Sequence, residues 1–354
     1  MNLALVEPIV NAVLYEGYML YPYRPSSVKN RQRWTFGGVY PQAFSQAQGG
    51  SDVCAVQTEC LIVANDEALH LDLKVRFLHL LARDVGQLTP PLPELPHDRE
   101  PDFRIIGSLQ IGERLLQPWQ EAVERSVDIA DVDLNDLRLN PRRVAFDFSA
   151  AHTLEPVRDD DGTIVGVLVR AQQQIKGVVE LAATRVEAQV FKLSVRVRNL
   201  TPLAETDQSN RDAALLRSFA STHIILGVQG GAFVSLFDPP DALRTQVAGC
   251  GNIGVWPVLV GDPDARDMLL AAPIILYDYP QVAPESPGDL FDGTEIDEIL
   301  TLRIMTMTEG EKREMGATDE RAQALLQRTE ALAREQLLGL HGTVRGLRPV
   351  GDTQ

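Results

Sequence analysis

The feature that most constrains this chain is a string of short runs between residues 144 and 197 in which every second residue is apolar. Val144, Phe146 and Phe148 make the first run, and Val165, Val167 and Val169 the second. Ile175, Gly177, Val179 and Leu181 follow, then Val186, Ala188 and Val190, then Val195 and Val197. Successive side chains of an extended chain point to opposite faces, so each run offers one face to a core and the other to water. Asp159-Asp160-Asp161-Gly162 reads as a turn between the first two runs. Short alternating strands with no helical spacing between them predict an antiparallel β-sandwich.

The flanking segments add to this core. Leu69, Leu71, Leu73, Val75 and Phe77 alternate with polar residues and predict another strand. Near the start, Pro8 stands at a first helical position, and Ile9, Val10, Val13 and Leu14 follow at helical spacing. Leu88 to Asp102 holds five prolines in fifteen residues and no apolar period, which predicts a loop and a boundary. Ser209 three residues before Asp212 predicts a helix through about Ser221, followed by the β-like runs THIILGV and AFVSLFD. Thr308 and Glu311 stand at capping-box spacing, and Asp319 to Leu340 reads as an amphipathic helix. The expected fold class is α+β, mainly β, with an antiparallel β-sandwich core and a mixed C-terminal part ending in that helix. The expected organisation is 1–87 (helix and β-rich), 88–102 (Pro-rich loop), 103–204 (sandwich) and 205–354 (mixed, then helical).

Composition excludes several classes. At 354 residues and 44% hydrophobic, the chain can bury a full core. No apolar stretch is long enough to span a bilayer, and Met1 to Pro8 lacks a secretory leader's pattern, so no membrane span and a cytoplasmic location are expected. Cys54, Cys60 and Cys250 are too few and unevenly spaced for a disulfide framework. The net charge of −16 repels polyphosphate, so no nucleic-acid partner is expected.

Motifs for chemistry are weak. Gly249 to Gly254, GCGNIG, matches the dinucleotide fingerprint, which requires a strand before it and a helix N-terminus after it. Here VWPVLVG follows, so a Gly-rich turn before a buried strand is expected instead. Cys54 and Cys60 are spaced wrongly for structural zinc, and His70 and His79 lie in an apolar strand region. Asp289, Asp292 and Glu295 belong to a cluster of carboxylates that could hold a divalent cation, although the calcium-loop order is absent and a solvated helix entrance is the better explanation. Nucleophile-elbow, P-loop and H-E-x-x-H patterns do not occur. No cofactor and no catalytic residue is expected.

Two stretches stand apart. Tyr21 to Tyr40 carries Arg24, Lys29, Arg31 and Arg33 with no acid, interleaved with Trp34 and other aromatics. Arginine and aromatic rings dominate protein-binding hot spots, so Arg24, Lys29, Arg31, Arg33 and Trp34 are the candidate partner-binding residues. The alternative is internal, with the guanidinium groups on the chain's own carboxylates and the rings in a core. Pro273 to Thr306, PIILYDYPQVAPESPGDLFDGTEIDEILTLRIMT, is a long proline-held path of the kind that often carries function.

At YPYRPSSVKNRQRWTFGGVYP and this second stretch the chain resembles a family of uncharacterised bacterial proteins encoded beside nickel-iron hydrogenases of the actinobacterial, high-affinity type. The resemblance implies an accessory, assembly or scaffolding role around a metalloenzyme, with hydrogenase subunits or maturation factors as protein partners. It supplies no catalytic residues. A metal-binding enzyme or carrier using the 289–298 acids, and a structural homo-oligomer, are the alternatives.

Overall fold

A computed structural model describes residues 3–19, 34, 36–65, 68–112, 114–281, 300–316 and 320–331. The chain is mainly β and its sheets are antiparallel, as the alternation predicts. The first sheet runs β13 (Gly231–Phe233), β1 (Ala55–Ala64), β11 (Val190–Asn199), β10 (Ile175–Glu187), β7 (Arg142–Phe148). The second runs β14 (Trp256–Val260), β15 (Met268–Ala272), β12 (Phe219–Gln229), β2 (His70–Leu92), β9 (Ile164–Gln172), β8 (Ala151–Arg158). Strand β2 is its spine. Along one edge β2 pairs first with β12 and then with β9, and along the other with β6 (Trp119–Asp133) and β3 (Phe103–Ile106). A small hairpin of β4 (Leu109–Ile111) and β5 (Arg114–Leu116) completes the strands.

Both sheets give side chains to one core. Leu73, Val75 and Phe77 from β2 meet Leu181, Val195 and Val197 from β10 and β11. Phe77 lies 4.8 Å from Phe219, 5.8 Å from Phe146 and 6.0 Å from Phe148, ring centre to ring centre. Each such ring buries a large apolar area, and tilted pairs at these distances add to it. Gly177 makes room for this cluster, since a Cβ there would stand 2.2 Å from Phe146 Cζ.

The other face of the second sheet is covered by α1 (Glu7–Met19) and the segment behind it. Val6, Val10 and Val13 pack on Ile225, Val258 and Leu270, while Leu14 joins Trp34, Tyr40 and Phe44 over Leu78 and Leu80. Phe44 belongs to α2 (Gln42–Ala47). Beyond the sheets, helical residues 300–305, α6 (Glu309–Gly316) and α7 (Glu320–Ala331) bury Leu300, Ile304, Met315 and Leu325 together; here α3 is Leu134–Leu139, α4 Arg211–Leu215 and α5 Arg244–Ala248. The capping box forms: Thr308 N–H donates to Glu311 Oε2 at 2.8 Å, and Glu311 N–H to Thr308 Oγ1 at 3.3 Å. The rest of the amphipathic helix expected to Leu340 lies outside the described residues.

Three local expectations change. The helix expected from Ser209 to about Ser221 is only α4, capped by the Asn210 side chain, and Phe219 already starts β12. Phe219 through Val228 are all buried, and that burial between β2 and β15 overrides helix propensity. The run Val186–Val190 is not a strand of its own but the β10–β11 hairpin with its turn at 188–189. Strand β2 reaches Leu92, taking in the first five residues of the expected proline loop, with Leu88 opposite Phe103 and Leu92 opposite Ile164. Strands β6 and β8 carry no sequence expectation because neither has clean apolar alternation: β6 is mostly half-buried or exposed, β8 is largely exposed, and β8 carries Pro156 on a sheet edge, where a missing N–H is tolerated.

Candidate functional site

The GCGNIG turn is fastened to β1. Gly249 ends α5, Gly254 takes φ +70°, and β14 follows with no helix. Gly251 N–H donates to Glu59 Oε2 at 2.8 Å, and Lys192 holds the same carboxylate at 3.2 Å. Asn252 Oδ1 accepts from Thr58 Oγ1 at 2.9 Å and from Glu59 N–H at 3.0 Å. The groups that a pyrophosphate would need are turned inward onto a strand, so the motif serves packing. Burial pushes the Cys60 thiol up, with Cys250 and Glu59 adding to it, and Cys250 is raised mainly by burial too, so neither favours the thiolate that nucleophiles and metal ligands require.

Beneath α1 lies a cavity of about 230 Å³ lined by Leu3, Val10, Lys74, Arg76, Glu124 and Ile225 among others. Arg76 donates to Asn11 Oδ1 and to Glu124 Oε2, both at 2.9 Å. Tyr15 donates to Glu124 Oε1 at 2.8 Å, and Lys74 pairs with Asp128 at 3.0 Å. These charges answer one another, which makes the cavity the seat of α1. His223 stands opposite Arg76 in the strand register and is fully buried; burial pushes its pKa down to about 4, with Arg76 adding to the shift against the Ser221 carbonyl and Glu124. On the other side of β2, His79 accepts from Gln172 Nε2 at 2.9 Å and is also lowered to about 4, by burial and then by Arg125. Both imidazoles are neutral interior groups.

Among the described residues, an exposed apolar surface lies past the end of β13 and β15. Tyr277 is 74% exposed, Ile275 71% and Phe237 60%, and the Phe237 and Tyr277 rings stand edge to face at 5.2 Å. Large apolar side chains usually sit inside, and an exposed cluster of them is a candidate contact surface. The pair is held from below. Ser235 Oγ donates to Asp278 Oδ2 and accepts from the N–H groups of Phe237 and Asp238, while Asp278 Oδ1 accepts from Leu259 N–H at 2.8 Å. Tyr279 N–H donates to Leu259 O at 2.7 Å, which ties the same segment to the edge of β14.

Of the residues expected to bind a partner, Arg24, Lys29, Arg31 and Arg33 lie outside the described residues. Trp34 is described and is 4% exposed, packed with Leu14, Tyr40 and Phe44, so its ring anchors the segment to the core. Asp289, Asp292 and Glu295 lie outside the described residues, as does the rest of that acidic cluster. Among the described residues no group of three or more His, Cys, Asp or Glu is placed to hold a metal ion, and no helix is long and apolar enough to cross a membrane. Tyr277 falls in the proline-held stretch singled out from sequence, and Phe237 in the β-like run AFVSLFD. Nothing in their spacing says that they meet.

Fold and surface define a class: a mainly β protein of two antiparallel sheets with a fixed, exposed aromatic pair at one end. No protein-family model matches this chain, and no curated protein is significantly similar to it.

Proposed function

We propose that this chain is a non-catalytic accessory, assembly or scaffolding protein that works by docking on another protein. The observation that carries the reading is the exposed Phe237–Tyr277 pair with Ile275, held in place through Asp278. A preformed aromatic anchor loses little conformational entropy on binding, which is the property that concentrates binding energy in a few residues. The resemblance to proteins encoded beside nickel-iron hydrogenases supports hydrogenase subunits or maturation factors as the partners. The basic aromatic segment from Arg24 to Arg33 is a second docking element under the same reading.

The test is a reciprocal pull-down between this chain and the subunits of such a hydrogenase, using wild type and a Phe237→Ser, Tyr277→Ser double variant. The expected result is retention by wild type, an unchanged Tm for the variant, and a loss of about 2 kcal/mol, roughly thirtyfold in affinity, typical of a hot spot. Equal retention of the double variant would remove this surface from the function. No retention of any subunit by wild type would remove the hydrogenase setting.

A further inference from the structure

The outward face of the first sheet carries a charge pattern opposite to that of the whole chain. The register places Arg143, Lys176, Lys192, Arg196 and Arg198 there against three carboxylates, Glu59, Asp147 and Glu180, in a protein of net charge −16. Gln57, Arg196, Glu180 and Arg143 form one row across β1, β11, β10 and β7. Glu180 is shared, with Arg143 Nε at 3.2 Å and Arg198 Nη1 at 3.5 Å. Lys192 has Glu59 at 3.2 Å and Lys176 has Asp147 at 3.5 Å. Arg196 is exposed and, among the described residues, has no acidic partner.

Beside Arg196 opens a cleft of about 210 Å³ with Val53, Ala55 and Ile253 as apolar walls and Gln57 at its edge. Ile253 is held there by a pair of backbone hydrogen bonds to Gln57, so the wall is fixed. The cleft thus sets an unpaired guanidinium next to a small apolar hollow.

We propose that this face docks an acidic protein segment, one carboxylate pairing with the Arg196 guanidinium while a neighbouring apolar side chain enters the cleft. A guanidinium's planar fork matches the two oxygens of a carboxylate, and the surplus cations of the row add attraction along the segment. A nucleic acid fits less well. A continuous polyphosphate would lie over Glu59, Glu180 and Asp147, whereas an acidic peptide places isolated charges between them and supplies the apolar side chain. This surface is separate from the Phe237–Tyr277 pair, so either can fail without the other.

The experiment is fluorescence anisotropy with a short labelled peptide of Glu and Leu, a Lys-and-Leu peptide as control, and single-stranded oligonucleotide as competitor. Wild type is expected to bind the acidic peptide at low salt and more weakly as salt rises. Arg196→Glu is expected to weaken binding by at least about tenfold and Arg196→Gln by less, with the melting temperature unchanged for the Gln variant. The idea is overturned if both variants bind as wild type does, if the Lys peptide binds equally, or if the oligonucleotide binds more tightly than the peptide. Light scattering gives a further arm: a dimer that Arg196→Glu dissolves would assign the face to a second copy of this chain instead.

Discussion

At neutral pH the imidazole of His223 sits uncharged inside the second sheet, its Nδ1–H donating to Ser221 O at 2.8 Å. His79, on the opposite face of the sheet, is uncharged for the same reason, burial, and Gln172 stands between it and the Arg125 guanidinium. Both folded-state values, about 4, lie below the ordinary 6.5. As pH falls below 6.5 the unfolded chain takes up protons that the folded chain refuses, so stability falls between pH 6.5 and 4 and is unaffected above that window. At pH 5 each histidine should cost about 2 kcal/mol relative to pH 7.5. Urea unfolding at the two pH values measures this, and a His79→Gln, His223→Gln double variant should show a much flatter dependence. A wild type equally stable at both values would mean that the interior accepts the proton.

Among the elements, β12 and the GCGNIG turn show how tertiary contacts choose between local possibilities. The sequence after Asn210 could continue as helix, but a strand there fills the gap between β2 and β15, with Ile224 opposite Val75 on one side and Ala271 on the other. The turn before β14 is decided by Asn252, whose amide oxygen takes the N–H of Glu59. Asn252→Ala leaves that N–H unsatisfied, which should lower unfolding free energy by about 1–3 kcal/mol. Hydrogen exchange should speed up at the Glu59 amide, and unaltered protection there would show that the turn is held by other means.

Across the whole molecule, the thirds of the chain share sheets. Strand β1 comes from the first third and β11, β10 and β13 from the middle, yet they form one sheet; β2 from the first third, β9 and β12 from the middle and β15 from the last share the other. Cleavage at the exposed Arg99 in the proline-rich loop should therefore leave two fragments that travel together in native gel filtration. Fragments that separate without denaturant would show that the sheets do not hold the cut chain.

Alternation with period two was enough, by itself, to establish that the middle of this chain is antiparallel β, because the side-chain direction of a strand is fixed by local geometry. The first helix, the Asp159–Gly162 turn and the Thr308–Glu311 capping box were legible for the same reason: each depends on residues within a few positions of one another. Long-range contacts decided the rest. That β2 would run on through Thr89 and Pro90, that Trp34 would face inward, and that Phe237 and Tyr277 would meet forty residues apart all depend on which strands lie side by side. Arg196 is the same case, since an alternating strand says that it points outward, and only the register shows Glu180 already taken by Arg143 and Arg198.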